Sequence, residues 1–339
     1  MSAPEPRANP RLEGHAAAEA MLAEAMRTGR LHHAWLITGP SGIGKATLAY
    51  RFARRLLAGL PEGTSLALDP ASPVFRRVAA GSHADLLTVE REWDPKRKRM
   101  RGEIVIEDVR RVADFLRRTP AEGGWRVVVV DGAETLNRNA ENALLKVLEE
   151  PPARAILLLS CDAPGRLLPT IRSRCRRLPL SPLSEAEVAH LLEDYLPEAD
   201  AAQRQRLAAL SEGSPGRALQ LAEGGVGTAD LVRQVLAELP AVGVGRAHAV
   251  ADALGRDEDA FTTFMDLLRA GARVSVNSDD PAARGHADAD QRRLLGARPL
   301  DAWVDVWHAL TRLQDDTESV YLDKRQAIVT GLLLLSQSH

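Results

Sequence analysis

The sequence predicts an α/β domain with a parallel sheet, followed by a region that contains only helices. Up to Leu180, short apolar runs alternate with amphipathic stretches, which is typical of parallel strands joined by helical crossovers. From Ser184 onward, the apolar residues recur at helical spacing only. We therefore predict three domains, over residues 1–180, 181–227 and 228–339.

Five apolar runs are the predicted strands of the sheet. The run Val127–Val130 is continuous and β-branched, as expected of a strand that is buried on both faces of a parallel sheet. The predicted strands cover residues 34–38, 83–89, 125–131, 155–160 and 176–180. Helices are predicted over residues 12–30, 45–57, 74–80, 106–118, 137–149 and 166–171. A ligand site is expected where the strands end, at the carboxyl edge of the sheet.

The second half of the chain reads as helices. Ser184 is a candidate N-cap for the first of them, and further helices are predicted over 201–211 and 217–223. Leu300, Trp303 and Leu310 belong to an apolar stripe at helical spacing, which indicates a packing face. The polar stretch 274–293 is interpreted as a linker.

Bulk properties exclude several classes of protein. The chain has 339 residues, 45% of them hydrophobic, and a net charge of −2, so it has no overall attraction for nucleic acid. Its two cysteines, Cys161 and Cys175, are expected in or near the core, and no zinc site is expected. No signal peptide is recognised in residues 1–11, and the apolar run 328–335 is too short to span a membrane. A cytoplasmic location without membrane contact is expected.

The glycine-rich stretch Gly39–Thr47 lies between a predicted strand and a predicted helix. This is the context of a phosphate-binding loop, in which backbone N–H groups surround phosphate oxygens and the helix N-terminus adds positive charge. The pattern G-x-x-x-x-G-K-[ST] is complete up to its last place, where Ala46 replaces the hydroxyl that would hold Mg²⁺. The candidate nucleotide-binding residues are Gly39, Gly42, Gly44, Lys45, Ala46, Thr47 and Asp131.

Nucleotide hydrolysis needs a carboxylate near Mg²⁺ and a second acidic group that orients water. Asp131 follows a buried strand and fits the first role. Gly132 stands where the second acid normally sits, and Glu134 is displaced by two positions. Together with Ala46, these departures predict no autonomous hydrolysis, whereas binding of ATP or ADP at the degenerate loop stays open. No metal ligands are assigned.

Three further segments give a specific resemblance to a known family. They are Asp131–Glu134, Asn142–Pro152 with the sequence NALLKVLEEPP, and Pro169–Cys175 with the sequence PTIRSRC. In these segments the chain resembles the AAA+ subunits of bacterial clamp loaders. The resemblance implies an AAA+ type P-loop domain, a small helical lid and an all-helical collar that packs with other subunits.

The resemblance also implies a role for Arg174 and a set of partners. In such subunits the arginine of this segment reaches the ATP site of the neighbouring subunit, where a guanidinium stabilises charge on the transferred phosphate. Arg174 is therefore the candidate catalytic residue, as an arginine finger acting in trans; the alternative is a surface arginine without a partner. The implied partners are other clamp-loader subunits in a ring-shaped hetero-oligomer, including gamma/tau and delta types, and through them the sliding clamp and primed DNA.

Several positions depart from the family pattern. At the end of one strand, Cys161 is expected to put a thiol where relatives have a polar contact. Gly216 stands where the lid of hydrolysing relatives has an arginine, and Arg217, one residue later, is expected to face elsewhere. Residues 57–83 contain no cysteine, so the family's zinc module is absent.

Three functional hypotheses remain. The favoured one is a clamp-loader subunit that does not hydrolyse ATP and donates Arg174 to a neighbour. The second is an autonomous ATPase of the gamma/tau type, against which Ala46, Gly132 and Gly216 argue. The third is a separate nucleic-acid-binding module on the basic run Lys96–Arg101, which we interpret instead as a solvated hairpin or loop.

Overall fold

The computed structural model describes residues 4–60, 63, 65–94, 99–122, 124–222, 300–320 and 323–336, with scattered positions between 231 and 268. Two compact units are found, Met1–Leu219 and Gln220–His339. The predicted linker 274–293 and Lys96–Lys98 lie outside the described residues. The division into three domains stays a prediction.

The first unit is built on a five-stranded parallel sheet with the strand order β2-β5-β6-β1-β7. Its strands are β1 (Ala34–Thr38), β2 (Leu86–Val89), β5 (Arg126–Val130), β6 (Ala155–Cys161) and β7 (Arg176–Pro179). A separate antiparallel pair consists of β3 (Trp93–Asp94), before the basic run, and β4 (Arg99–Met100), within it, in agreement with the hairpin interpretation. The predicted α/β fold with a parallel sheet is confirmed.

Helices connect the strands and complete the first unit. They are α1 (Ala16–Arg27), α2 (Lys45–Leu57), α3 (Pro73–Ala79), α4 (Ile106–Arg117), α5 (Arg138–Glu149), α6 (Pro169–Arg174), α7 (Glu185–Tyr195), α8 (Ala201–Leu210) and α9 (Pro215–Gln220). Side-chain caps explain several of the starts. Asn137 accepts from the N–H of Ala140, and Ser184 forms a capping box with Glu187, as its predicted N-cap role requires.

The sheet is buried on both faces. Leu36, Val128 and Leu157 belong to the apolar cluster that packs against α4, α5 and α6. Their chain neighbours, such as Trp35 and Val127, project to the opposite face because side chains alternate along a strand, and they too are fully buried. The continuous apolar runs in the sequence follow from this double burial.

Several predicted element boundaries are displaced, and the structure gives a physical reason for two of them. The strand predicted from residue 83 begins only at Leu86, because the residues before it form a turn in which the N–H of Leu86 donates to the carbonyl oxygen of His83. The helix predicted over 166–171 instead forms at Pro169–Arg174, since the fixed φ of Pro169 suits a first helical turn.

The described part of the second unit is helical. It contains α10 (Val244–Leu254), α11 (Leu300–Val320) and α12 (Lys324–Ser336). Trp303 and Leu310 of the predicted stripe are buried, and a Cβ at Gly331 of α12 would lie 3.3 Å from the Leu310 side chain, so α11 and α12 pack closely. Among the described residues, no helix combines the length and apolar character needed to cross a membrane.

Both cysteines are free and buried, as expected, and burial raises the pKa of each thiol to about 12 from an ordinary value of 9.0. Because the folded-state pKa is raised, the stability that these thiols contribute is complete below pH 9 and is lost as the pH rises toward 12. We expect the free energy of unfolding to fall by about 1.5 kcal/mol between pH 8 and pH 9.5 through these two groups.

Urea unfolding at the two pH values measures this loss, with a variant carrying both Cys161→Ala and Cys175→Ala as the reference. Measurements stop at pH 9.5 because burial lowers the pKa of Arg54 to about 10, and its titration has the opposite effect on stability. An equal pH dependence in the variant would contradict the prediction.

Candidate functional site

The glycine loop joins the carboxyl end of β1 to α2, and close backbone contacts explain its glycines. Gly42 has a φ of 74°, and a Cβ there would lie 2.5 Å from Ser214 Oγ. A Cβ at Gly39 would lie 2.6 Å from the carbonyl oxygen of Leu180, the residue after β7. The loop therefore follows a path that a chain with larger residues could not take.

A cavity of about 590 Å³ opens at this loop, at the carboxyl edge of the sheet. Segments from the N-terminus, the glycine loop, the ends of β5 and β6, and the helices after Leu183 line it. Of the predicted nucleotide-binding residues, those in the lining are Gly42, Gly44, Lys45, Ala46, Thr47 and Asp131. Gly39 and Arg174 are not part of the lining.

Four successive loop carbonyls are each bonded to a different group of the chain. The pairs are Lys45 Nζ with Pro40 O, Ser214 Oγ with Ser41 O, Gly216 N with Gly42 O and His15 Nε2 with Ile43 O, at 2.5, 2.8, 3.0 and 2.7 Å. The bond from His15 requires the tautomer with the proton on Nε2. The loop is thus fixed by its own helix, by the α9 region and by the residue before α1.

Lys45 is the cation of the loop, and it is already paired. Its side chain is only 5% exposed, and Nζ lies 2.6 Å from a carboxylate oxygen of Asp162. Asp162 follows β6 directly, and its N–H donates to Glu134 Oε2 at 3.0 Å. Sequence reasoning missed Asp162 because nothing local marks it; only the strand order shows that the residue after β6 lies beside the loop after β1.

Asp131 ends β5 and is bonded to the neighbouring strand. Ser160 Oγ donates to Asp131 Oδ1 at 2.5 Å and accepts from the N–H of Gly132 at 3.0 Å. The expectation that Cys161 stands at the polar position is therefore wrong. Ser160 makes the polar contact, whereas Cys161 lies in the apolar cluster of the opposite face, because consecutive residues alternate along β6.

The acidic groups near Asp131 are not arranged for water activation. The carboxylate of Glu134 accepts from the backbone of Asp162, and Gly132 carries no side chain. Glu90, which also lines the cavity, has a raised pKa because partial desolvation and the nearby charge of Asp131 both disfavour its ionised form. Among the described residues, no group of three or more metal-binding side chains is found.

The residues of the glycine loop do not fit a bound Mg²⁺–nucleotide. Ala46 has no hydroxyl for the metal, and Lys45 already has a carboxylate at the distance where a phosphate oxygen would bind.

Gly216 and Arg217 take different directions. Gly216 belongs to the cavity lining, and its N–H reaches the loop. Arg217 pairs with Glu212 at 3.0 Å and is not part of the lining, which confirms the expectation that it faces elsewhere. Sequence reasoning treated Gly216 only as a lost arginine and missed its contact with the loop.

The N-terminal segment is held against α2 by two arginines. The nearly fully buried Arg54 donates to the carbonyl oxygens of Arg7 and Asn9, each at 2.8 Å. Arg51 donates to Pro10 O and to Glu19, the latter at 2.8 Å. Through these bonds the segment becomes one wall of the cavity.

Arg174 is the last residue of α6. Its guanidinium donates to the carbonyl oxygen of Thr170 at 3.1 Å and pairs with Glu149 at 2.8 Å. About a third of its side chain (35%) is exposed, and Glu149 is 49% exposed. The arginine is thus held at a fixed position at the surface of the first unit.

The sheet order, the glycine loop that opens α2 and the carboxylate after β5 define an AAA+ type P-loop protein. The family model described as "DNA polymerase III, delta subunit" matches residues 14–184. The chain belongs to this clamp-loader family of bacterial DNA polymerase III.

Two of its relatives are delta' subunits. The chain is 34% identical to that of Escherichia coli over 92% of this chain and 91% of the relative. It is 37% identical to that of Pseudomonas aeruginosa over 61% of this chain and 64% of the relative. The tau subunit of Escherichia coli is 32% identical over 78% of this chain, which spans only 39% of the tau subunit.

Proposed function

We propose that this chain is the delta prime subunit of a DNA polymerase III clamp loader, acting in the cytoplasm. It does not hydrolyse ATP, and it donates Arg174 to the ATP site of a neighbouring subunit. The partners are gamma/tau-type and delta-type subunits in a ring-shaped hetero-oligomer, which opens the sliding clamp and loads it on primed DNA.

The observation that supports the proposal most strongly is that no acid occupies the usual water-orienting position. Position 132 is a glycine, and the nearest acid, Glu134, is engaged with the backbone of Asp162. With Ala46 in the loop, the cavity lacks the hydroxyl that would hold Mg²⁺, and among the described residues no acid is placed to orient water. The remaining function of such a domain lies at its contacts with other subunits.

Arg174 supports the second half of the proposal. A guanidinium can stabilise charge on a transferred phosphate only if it is accessible and fixed in direction. The exposure of Arg174 and its bonds to Glu149 and Thr170 meet both requirements. The similarity over most of the length of the Escherichia coli delta' subunit agrees with this role.

An ATPase of the gamma/tau type is the second candidate. The similarity to the tau subunit favours it, as does the retention of Lys45 and Asp131. This second candidate requires ATP hydrolysis at a glycine loop whose lysine, Lys45, is paired with Asp162.

ATP hydrolysis by the purified chain separates the two candidates. We expect a rate equal to that of the Lys45→Ala variant, because none of the described residues at the cavity is placed to orient water. A gamma/tau-type subunit in the same buffer is the positive control. Turnover by the wild-type chain that disappears in Lys45→Ala would overturn the non-hydrolysing assignment.

A further inference from the structure

We propose that Asp162 is an internal competitor for phosphate at the glycine loop. Its carboxylate holds Lys45 Nζ where a phosphate oxygen would bind, so polyphosphates are excluded until this ion pair breaks. The inference goes beyond the proposed function, because it concerns the loop of this chain alone and depends on neither Arg174 nor assembly.

The geometry of the ion pair supports a specific competition. A lysine ammonium has three N–H donors. One is used by Pro40 O and one by Asp162, in a side chain that is only 5% exposed. Asp162 itself is 38% exposed, and its backbone is fixed by Glu134. The carboxylate is thus held on the cavity side of the lysine, in the path of an incoming anion.

The shape of the loop does not explain why polyphosphates would be excluded. The bonds to its four successive carbonyls come from side chains and backbone of the chain itself, so the loop keeps its path without a ligand. A volume of about 590 Å³ lies within the range of small-molecule sites. The cation of the loop, Lys45, is instead engaged by Pro40 O and by the carboxylate of Asp162.

The charges of the cavity lining also disfavour the binding of an anion. Acidic side chains outnumber basic ones in its lining. The acidic residues are Glu5, Glu13, Glu90, Asp131, Glu134 and Asp162, and the basic ones are Arg11, Lys45 and Arg91. Removing one carboxylate at Lys45 should therefore relieve repulsion and release the cation in one step.

Calorimetric titration of the full chain with ADP and with inorganic pyrophosphate, both in EDTA, tests the proposal. Without Mg²⁺ the missing hydroxyl at position 46 has no influence on the result. We expect the Asp162→Asn variant to bind at least about tenfold more tightly than the wild type, because like charges about 4 Å apart repel strongly near a protein surface. If the affinity rises equally for ADP and for pyrophosphate, the diphosphate group is what the loop binds. A rise for ADP alone would contradict a phosphate site.

Two further variants make the test specific. Lys45→Ala added to Asp162→Asn should abolish the gain. Glu122→Gln removes a carboxylate that pairs with Arg77 and does not line the cavity, so the affinity of this variant for both probes should stay within about twofold of the wild type. Tight binding by the wild type, or no gain in Asp162→Asn with an unchanged melting temperature, would overturn the proposal. Neither result bears on the ATPase test above.

Discussion

Arg174→Ala should slow ATP hydrolysis at the neighbouring subunit's site by about a thousandfold, because an arginine finger contributes roughly 10³–10⁵ in rate. The effect should fall on kcat, with little change in the KM for ATP, since the guanidinium acts on charge that develops in the transition state. The measurement is DNA-stimulated ATP hydrolysis by a reconstituted clamp loader. The complex is assembled with the P-loop lysine replaced in every other ATP-binding subunit, so that only the neighbouring site hydrolyses ATP. Hydrolysis at other sites then cannot hide a lower rate at that site.

Two matched variants show whether the effect belongs to this arginine. Arg177→Ala removes an exposed arginine three positions further along the chain and should leave the rate unchanged. Glu149→Gln keeps the shape of the residue that pairs with Arg174 but removes its charge. If Glu149 positions the guanidinium, this variant should lower kcat by an intermediate factor without weakening assembly. A normal rate for Arg174→Ala in a fully assembled complex would remove the trans role.

The sheet was predictable from the sequence because burial on both faces leaves a direct trace. Val127–Val130 is apolar throughout and Ala155–Ser160 is apolar up to Ser160, and both segments lie in strands of the sheet as predicted. Helix starts with a side-chain cap, such as Ser184, were equally visible. The boundaries at residues 83 and 166 were not. The turn closed by the bond from the Leu86 N–H to the His83 carbonyl oxygen sets the first, and the position of Pro169 sets the second.

The site was predictable only as far as its motif residues. Gly42, Lys45 and Asp131 meet at one cavity because parallel strands place their carboxyl ends at one edge. The groups that decide what the loop can bind come from other parts of the chain. Asp162 acts through the pairing of β6 with β1, and Gly216 lies more than 170 residues from its partner Gly42. No local pattern encodes contacts at such separations.

The contact between Gly216 and Gly42 gives a prediction about stability. A Cβ at Gly216 would lie 2.8 Å from Gly42 Cα and 3.2 Å from Gly42 O, which are backbone atoms that cannot rotate away. Gly216→Ala should therefore push α9 off the loop and break the bond from Gly216 N to Gly42 O. We expect a loss of about 1–3 kcal/mol in the free energy of unfolding, the usual cost of an overpacked contact. Urea unfolding measures it, and faster amide exchange in α9 locates it.

Gly216 is a cleaner test of this contact than Gly42. The φ of 74° at Gly42 strains any side chain there, whereas Gly216 is not in the left-handed region, so an alanine at 216 is penalised by the contact alone. Gly165→Ala is the matched control, because a Cβ there would meet nothing within 4 Å and should change stability by less than about 0.5 kcal/mol. If Gly216→Ala is as stable as Gly165→Ala, α9 does not rest on the loop in solution. A clear difference would show that the close approach of Gly216 to Gly42 joins α9 to the glycine loop.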